Sequence, residues 1–274
     1  MVKIILPSVL LVVIPAVQAG AFELALESHQ AVYRIALQQT GGGAASVVYA
    51  SGVMKYSVQK VCDDWTTGTT IDLELSSELT GISRLLWRQS TKEAMDGCAF
   101  DFTVSAFENN EDKKELEGVA RCEQDKKRLV LTYPLASEAV LPKNVMFPMQ
   151  QTAFLIAAAN KGKKTVSSYV YDGTRLEALN YAFAVISENT QKSAENIKGD
   201  RSLLGGKSHW FDIAFYNDMG LSGVKDGSPF YEAGMILYNN GIGDRIVQNF
   251  GSYTIESSLV SVDRLENVAC PAKK

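Results

Sequence analysis

Residues 98–122 read CAFDFTVSAFENNEDKKELEGVARC, and the fold class follows from them. Apolar and polar side chains alternate through FDFTVSA, which puts Phe100, Phe102 and Val104 on one face. This period of two marks a strand buried on one side. The run ENNEDKK has the composition of a turn, and ELEGVAR alternates again beyond it. A hairpin folded about Asn110 brings Cys98 opposite Cys122, on the face that carries Phe100 and Phe102. Directly opposed strand residues have Cβ atoms about 4.5–5.5 Å apart, near disulfide reach. A Cys98–Cys122 bridge is therefore expected, and a one-residue slip in register would spoil it.

The same alternation recurs outward in both directions. Tyr33, Ile35 and Leu37 share a face, as do Ile71, Leu73 and Leu75. Leu129, Leu131 and Tyr133 form a third set, and Phe211, Ile213 and Phe215 a fourth. YEAGMILYNNGIGDRIVQNF reads as two strands around Asn240-Gly241, a strong short-range hairpin signal. About a dozen strands are expected, spaced as antiparallel neighbours in one domain with no repeats. Residues 187–208 are polar and aperiodic and read as a long mobile excursion, and 217–228 as a glycine-rich loop. MFPMQQTAFLIAAANKGKK departs from the pattern. Pro148 at its first turn and Gly162 just past its end punctuate a helix near 148–161. It is apolar nearly all round, hence buried, plugging a barrel end or packing on a curved sheet.

The N-terminus carries Lys3, an apolar stretch from Ile4 to Val17, and Val17-Gln18-Ala19. This pattern predicts a secretory signal over 1–19, cut after Ala19, with a single domain over 20–274. Lys3 is its one charge, so 26 Lys and Arg face 31 Asp and Glu afterwards, a net charge of −5. No basic run exists for a nucleic acid. No second long apolar stretch exists to span a membrane, so the mature chain is expected to be soluble.

Four cysteines in an exported chain point to two disulfides. With Cys98 and Cys122 paired, Cys62 is left with Cys270. Closing a loop of that length is worth about 5 kcal/mol in the chain-entropy model. Zinc is the competing use, but there is no C-x-x-C, and His29 and His209 are far from any cysteine in sequence. Asp63 and Asp64 beside Cys62 oppose the low pKa that a nucleophilic thiol needs. Trp65 then reads as packing near that staple.

No motif carries catalysis. Gly206-Lys207-Ser208 lacks the first glycine of a P-loop, Arg201 standing in its place. Gly220 to Val224 is not G-x-S-x-G. Two histidines leave few ways to build a Ser-His-Asp set. The acid pairs Asp63/Asp64, Asp72/Glu74 and Glu111/Asp112 read as a solvated strand face. No cofactor or metal is expected. The remaining picture is a curved sheet with large apolar side chains on one face, where a ligand can sit in the mouth.

Seven blocks occur in a telling order: SHQAVYRIAL, ASGVMKYSVQKVCDDWTT, MDGCAFDF, LPKNVMFP, YVYDGT, SPFYEAGMILYNNGIGDRIVQNFGSYTI and LENVAC. Over roughly residues 27–270 the chain resembles the alphaproteobacterial periplasmic β-spiral proteins required for cell-envelope integrity, long catalogued as a domain of unknown function. The resemblance implies a single antiparallel sheet of about fourteen strands wrapped into an open cup with a helix. It implies a periplasmic location, a role under envelope stress and no known enzymatic activity. The family's cysteine pair matches Cys62 and Cys270, while Cys98 and Cys122 depart from its two-cysteine pattern. It also suggests a link to periplasmic repeat-containing proteins. The expected function is a non-enzymatic envelope protein that holds a peptide, protein segment or partner in an apolar cup. A lipid or lipoprotein carrier is the alternative and an envelope hydrolase the second.

Overall fold

The computed structural model describes residues 26–41, 46–109, 111–174, 179–191, 196–217 and 228–270. The expected signal segment, Asn110 and most of 217–228 lie outside them. Eight strands lead out from the start: β1 (His29–Thr40), β2 (Val47–Val61), β3 (Asp64–Ser77), β4 (Gly81–Ala94), β5 (Ala99–Glu108), β6 (Glu111–Glu123), β7 (Lys126–Tyr133) and β8 (Ser137–Pro142). Helix α1 (Pro148–Asn160) follows. Then come β9 (Thr165–Tyr171), β10 (Leu179–Glu188), the short β11 (Lys198–Gly199), β12 (Ser208–Asn217), β13 (Tyr231–Tyr238), β14 (Gly243–Asn249) and β15 (Tyr253–Arg264).

All belong to one sheet, ordered β8 to β1, then β15 to β12, then β10 and β9, with β11 alongside β15. Apart from the parallel β11, every neighbour is antiparallel. The sheet is not closed: β8 and β9 are its two ends. The first strand pairs with the last in the middle, from His29↔Arg264 to Thr40↔Tyr253.

The hairpin at 98–122 holds the register read from sequence, from Ala99↔Arg121 to Ala106↔Lys114. An irregularity between Ala106 and Phe107 then gives Glu108↔Glu111, so the turn tightens while the inner end stays in step. A second irregularity corrects the sequence reading. Between Glu117 and Gly118 the register against β7 shifts, and Tyr133 pairs with Glu117. Tyr133 is 45% exposed, flipped off the face that holds Leu129 and Leu131, as an extra strand residue requires.

Helix α1 ends at the residue the sequence suggested. Gly162 is left-handed, with φ 72°. Gly162 N–H donates to Ala159 O and Lys163 N–H to Ala158 O, a Schellman closure that favours glycine. Leu155, Ile156, Ala158 and Ala159 face Ala182, Ala184, Phe211 and Ile213 inside the curl. Trp65 packs with Val58 and Met149, at the helix's first turn.

The free end at β9 tucks inside. Val170 packs in the helix-side cluster, whereas its neighbour Tyr171 packs with Phe100, Phe102 and Phe147. Neighbouring strand residues point to opposite faces, so β9 is covered on both. Gln89 Nε2 donates to Asp172 O at 2.8 Å, tying β4 to the end of β9. Gly173 is required there: a Cβ would lie 2.7 Å from the Phe102 ring. The sheet overlaps itself as a spiral.

The polar stretch expected to be mobile is anchored where it is described. Lys198-Gly199 pairs with Ser261-Val262. Ile197 and Leu203 are buried against Ile236, Tyr238 and Val262. Two apolar residues in a polar run suffice to dock it.

Cys62 is bonded to Cys270 and Cys98 to Cys122, with Cα separations of 5.0 and 4.8 Å. Cys62 occupies the β2–β3 turn at φ 59°. The last described residues run along β2, where Val268 N–H donates to Lys60 O and Cys62 N–H to Val268 O. We expect Cys62→Ser and Cys270→Ser to lower the thermal midpoint alike, by about 10 °C or more, as about 5 kcal/mol implies for a chain of this size. The double variant should add little. Unequal single effects, read by calorimetry, would refute a purely structural staple.

Candidate functional site: the two ends of the cup

Among the described residues, one end of the cup is plugged by a helix and the other is not. At the plugged end lie both disulfides and the first turn of α1. Phe147 at the N-cap offers no side-chain acceptor. The cap comes instead from β4, where Glu93, 1% exposed, accepts from Met149 N–H and Gln150 N–H, each at 2.8 Å. A carboxylate at a helix N-terminus satisfies orphan donors and faces the positive end of the dipole. Lys127 on β7 is buried as well. Its Nζ donates to Val145 O at 2.7 Å and lies 4.3 Å from the centroid of the Phe147 ring.

Both charges are held against burial. Desolvation pushes the Glu93 carboxyl up to about 7, opposed by its two backbone donors and by Lys127. Burial lowers Lys127, opposed by Glu93 and Asp96. Burial also lowers His29, whose Nδ1 contacts Glu27 O at 2.7 Å.

The open end is where β1, β3, β12 and β14 finish and β2, β4, β13 and β15 begin. Aromatic rings line it in sequence: Phe215 to Tyr231 at 5.4 Å, Tyr231 to Phe250 at 5.5 Å and Phe250 to Tyr253 at 5.0 Å. Gln248 Nε2 donates to the Tyr231 hydroxyl at 2.7 Å, and burial pushes that phenol up to about 12. Behind the rings lie Ile35, Leu73 and Ile255.

The exposed apolar side chains concentrate at this same end. Val48 and Tyr49 open β2, and Leu79 and Ile82 flank the β3–β4 turn. Tyr133 ends β7 and Leu135 follows it, while Phe230 precedes β13 and Phe250 follows β14. Leu135, Ile82 and Leu79 are 78%, 69% and 68% exposed. Scattered single apolar residues are ordinary on a surface, but a clustered set marks an interaction region.

Two hollows lie elsewhere. One, of about 490 Å³, crosses the polar row Gln30, Ser57, Gly68 and Ser90 on β1 to β4. The other, of about 310 Å³, adjoins Cys62, Asp63 and Cys270. Neither carries the apolar lining of the mouth. The acids considered from sequence are spread out: Asp72 pairs with Arg84 and Asp64 with Lys92. His209 is buried against Phe211. Among the described residues no three His, Cys, Asp or Glu side chains converge as a metal site, and no helix is long and apolar enough to cross a membrane.

The chain and its fold both match those of known proteins. Residues 20–266 match the EipB-like family. The chain belongs to this EipB-like family. The cell envelope integrity protein EipB of Brucella abortus (strain 2308) is 25% identical over 256 residues, covering 89% of this chain and 86% of that protein. A crystal structure of a β-barrel-like protein of a domain of unknown function, also from Brucella abortus, superposes with a TM-score of 0.80. It covers 89% of this chain and all of its own, at 22% identity. That likeness establishes the fold.

Neither Glu93 nor Lys127 was found from sequence. The signal was present. Glu93 stands in phase with Leu85 and Trp87 along β4, and Lys127 in phase with Leu129 and Leu131 along β7. A charge on the apolar phase of a strand is buried with a partner or not at all.

A raised carboxyl favours folding below its unfolded pKa of 4.5. That contribution is lost as pH climbs through about 7, a swing of about 3 kcal/mol at most. Glu93→Gln cannot ionise. Urea unfolding at pH 5 and pH 8 should show the parent losing about 2–3 kcal/mol more than Glu93→Gln over this interval. Parallel losses would show that Glu93 ionises without cost.

Proposed function

We propose that this protein is a periplasmic, non-catalytic component of cell-envelope integrity that receives an apolar peptide or protein segment in the mouth of its cup. One observation carries the reading: eight of the thirteen exposed large apolar side chains among the described residues lie at the rim of the open end, in front of an aromatic lining. At the plugged end Val268 alone of that set is exposed. The kinship with an envelope integrity protein and the secretory pattern of residues 1–19 support the cellular setting. The two disulfides accord with an oxidising compartment. Non-catalytic action fits a buried acid and a buried base that are both committed to structure, Glu93 to the helix and Lys127 to a carbonyl.

A lipid or lipoprotein carrier would use the same mouth. Native mass spectrometry after gentle extraction separates the two: a peptide or a stoichiometric protein partner is expected, and co-purified acyl chains would replace this proposal with the carrier. Leu79→Ser/Ile82→Ser should keep the parent's thermal midpoint within about 2 °C, since exposed positions contribute little to stability. It should fail to restore envelope integrity in a strain lacking the protein. Full rescue would show that the rim is not the working surface.

A further inference from the structure

The charge of the rim identifies what the mouth prefers. Its described tips are the segments 38–41, 46–49, 76–83, 107–109, 111, 132–137, 171–174, 228–231 and 249–253. Among these described residues no lysine or arginine occurs, while Glu78, Glu108, Glu111 and Asp172 all do. Arg84, just up β4 from the rim, is held bidentately by Asp72, with Nη2 to Oδ2 at 2.7 Å. Arg128, farther up the wall, is likewise held by Glu138. The apolar side chains of the rim are thus set among acids; of the bases just behind them, Arg84 and Arg128 are held by carboxylates, Arg88 lies over the Phe107 ring at 5.9 Å from its centroid, and Lys113 and Lys114 follow Glu111 along β6.

Resting on the reading of the mouth as a receptor for an apolar segment, we propose that its partner is a cationic amphipathic protein segment. Its apolar side would lie on the rim and the aromatic run, and its lysines or arginines against the acids of the tips. Apolar contact supplies the affinity, because the rim side chains lose water on docking. The acids supply selection, because complementary charge steers encounter and rejects like-charged competitors. An anionic bilayer is disfavoured by the same logic: a membrane-seeking rim would carry lysine and arginine beside its apolar residues.

The test uses the whole mature protein and three probes. These are a leucine–lysine amphipathic peptide, its leucine–glutamate twin, and vesicles of phosphatidylethanolamine with phosphatidylglycerol. Calorimetry at low salt should show the lysine peptide binding at least about tenfold more tightly than its twin, with the gap narrowing as salt is added. Glu78→Lys/Glu111→Lys, altered at two exposed positions, should reduce or reverse the preference while leaving the thermal midpoint unchanged. Equal binding of both peptides would overturn the charge selection and leave the apolar mouth standing. Binding of vesicles and of neither peptide would assign the rim to a lipid surface. Binding of no probe would remove both the selection and the mouth as a receptor.

Discussion

The pairing of the first strand with the last is the constraint on which the rest depends. β1 and β15 are where the two halves of the sheet join strand to strand, and their residues are more than 200 positions apart in sequence. One half runs outward from that seam to β8, and the other returns to it from β9. Until the seam forms, neither half has a curved partner to bury its inner face against. Loop closure makes such contacts slow and entropically costly. The Cys62–Cys270 bond lies beside this seam, and the last residues bind the end of β2. A cross-link placed there restricts the unfolded chain where closure is most demanding.

Closing a sheet normally removes its edges, yet here β8 and β9 never pair. The structure manages those edges differently. β9 is drawn inside, with Val170 on the helix and Tyr171 on the opposite wall. Helix α1 crosses the interior between the two ends. That helix begins without a capping side chain of its own, and its first turn is half-buried, with Met149 fully inside. Its N–H groups would be unsatisfied without Glu93, and the Val145 carbonyl just before it is met by Lys127. Two buried charges are a costly way to dock a helix, and replacement by apolar residues is often neutral or better. Their effect here is positional: a carboxylate on β4 and an ammonium on β7 fix where the helix enters.

Most of the sheet was legible because each strand with one buried face repeats with period two. The hairpin from Ala99 to Arg121 held its register because its irregularity falls near the tip, beyond Ala106. The irregularity between β6 and β7 leaves Thr132 of β7 unpaired and throws Tyr133 outward, which alternation alone cannot foresee. The overlap of the spiral was hidden for another reason. Tyr169, Val170 and Tyr171 are apolar in succession, a sign of burial on both faces, but such a run says nothing about what covers each face. The docking of residues 196–204 rests on the two-residue β11 and a few apolar side chains, Ile197 and Leu203 foremost, too few to show a period. An apolar cup was expected from the alternation, and the structure places aromatic rings along its unplugged end. Its polarity, with most of the exposed apolar residues gathered at one end, emerges when hairpin tips distant in sequence are set side by side.

That gathering has a physical rationale in the meander itself. In an antiparallel sheet, alternate turns lie at opposite ends, so one chain can specialise its two rims independently. Here the rim with β2–β3, β4–β5 and the start of α1 carries both disulfides and the two buried charges of the plug, Glu93 on the helix N–H groups and Lys127 on the Val145 carbonyl, the features that rigidify. The other rim carries no described disulfide and a row of exposed apolar tips, features that a molecule built only for stability would avoid because they invite association. Rigidity at one end allows exposure at the other. A receptor surface loses less entropy on binding when its scaffold is already fixed, and the covalent staples sit where they hold the strands without occupying the surface they present.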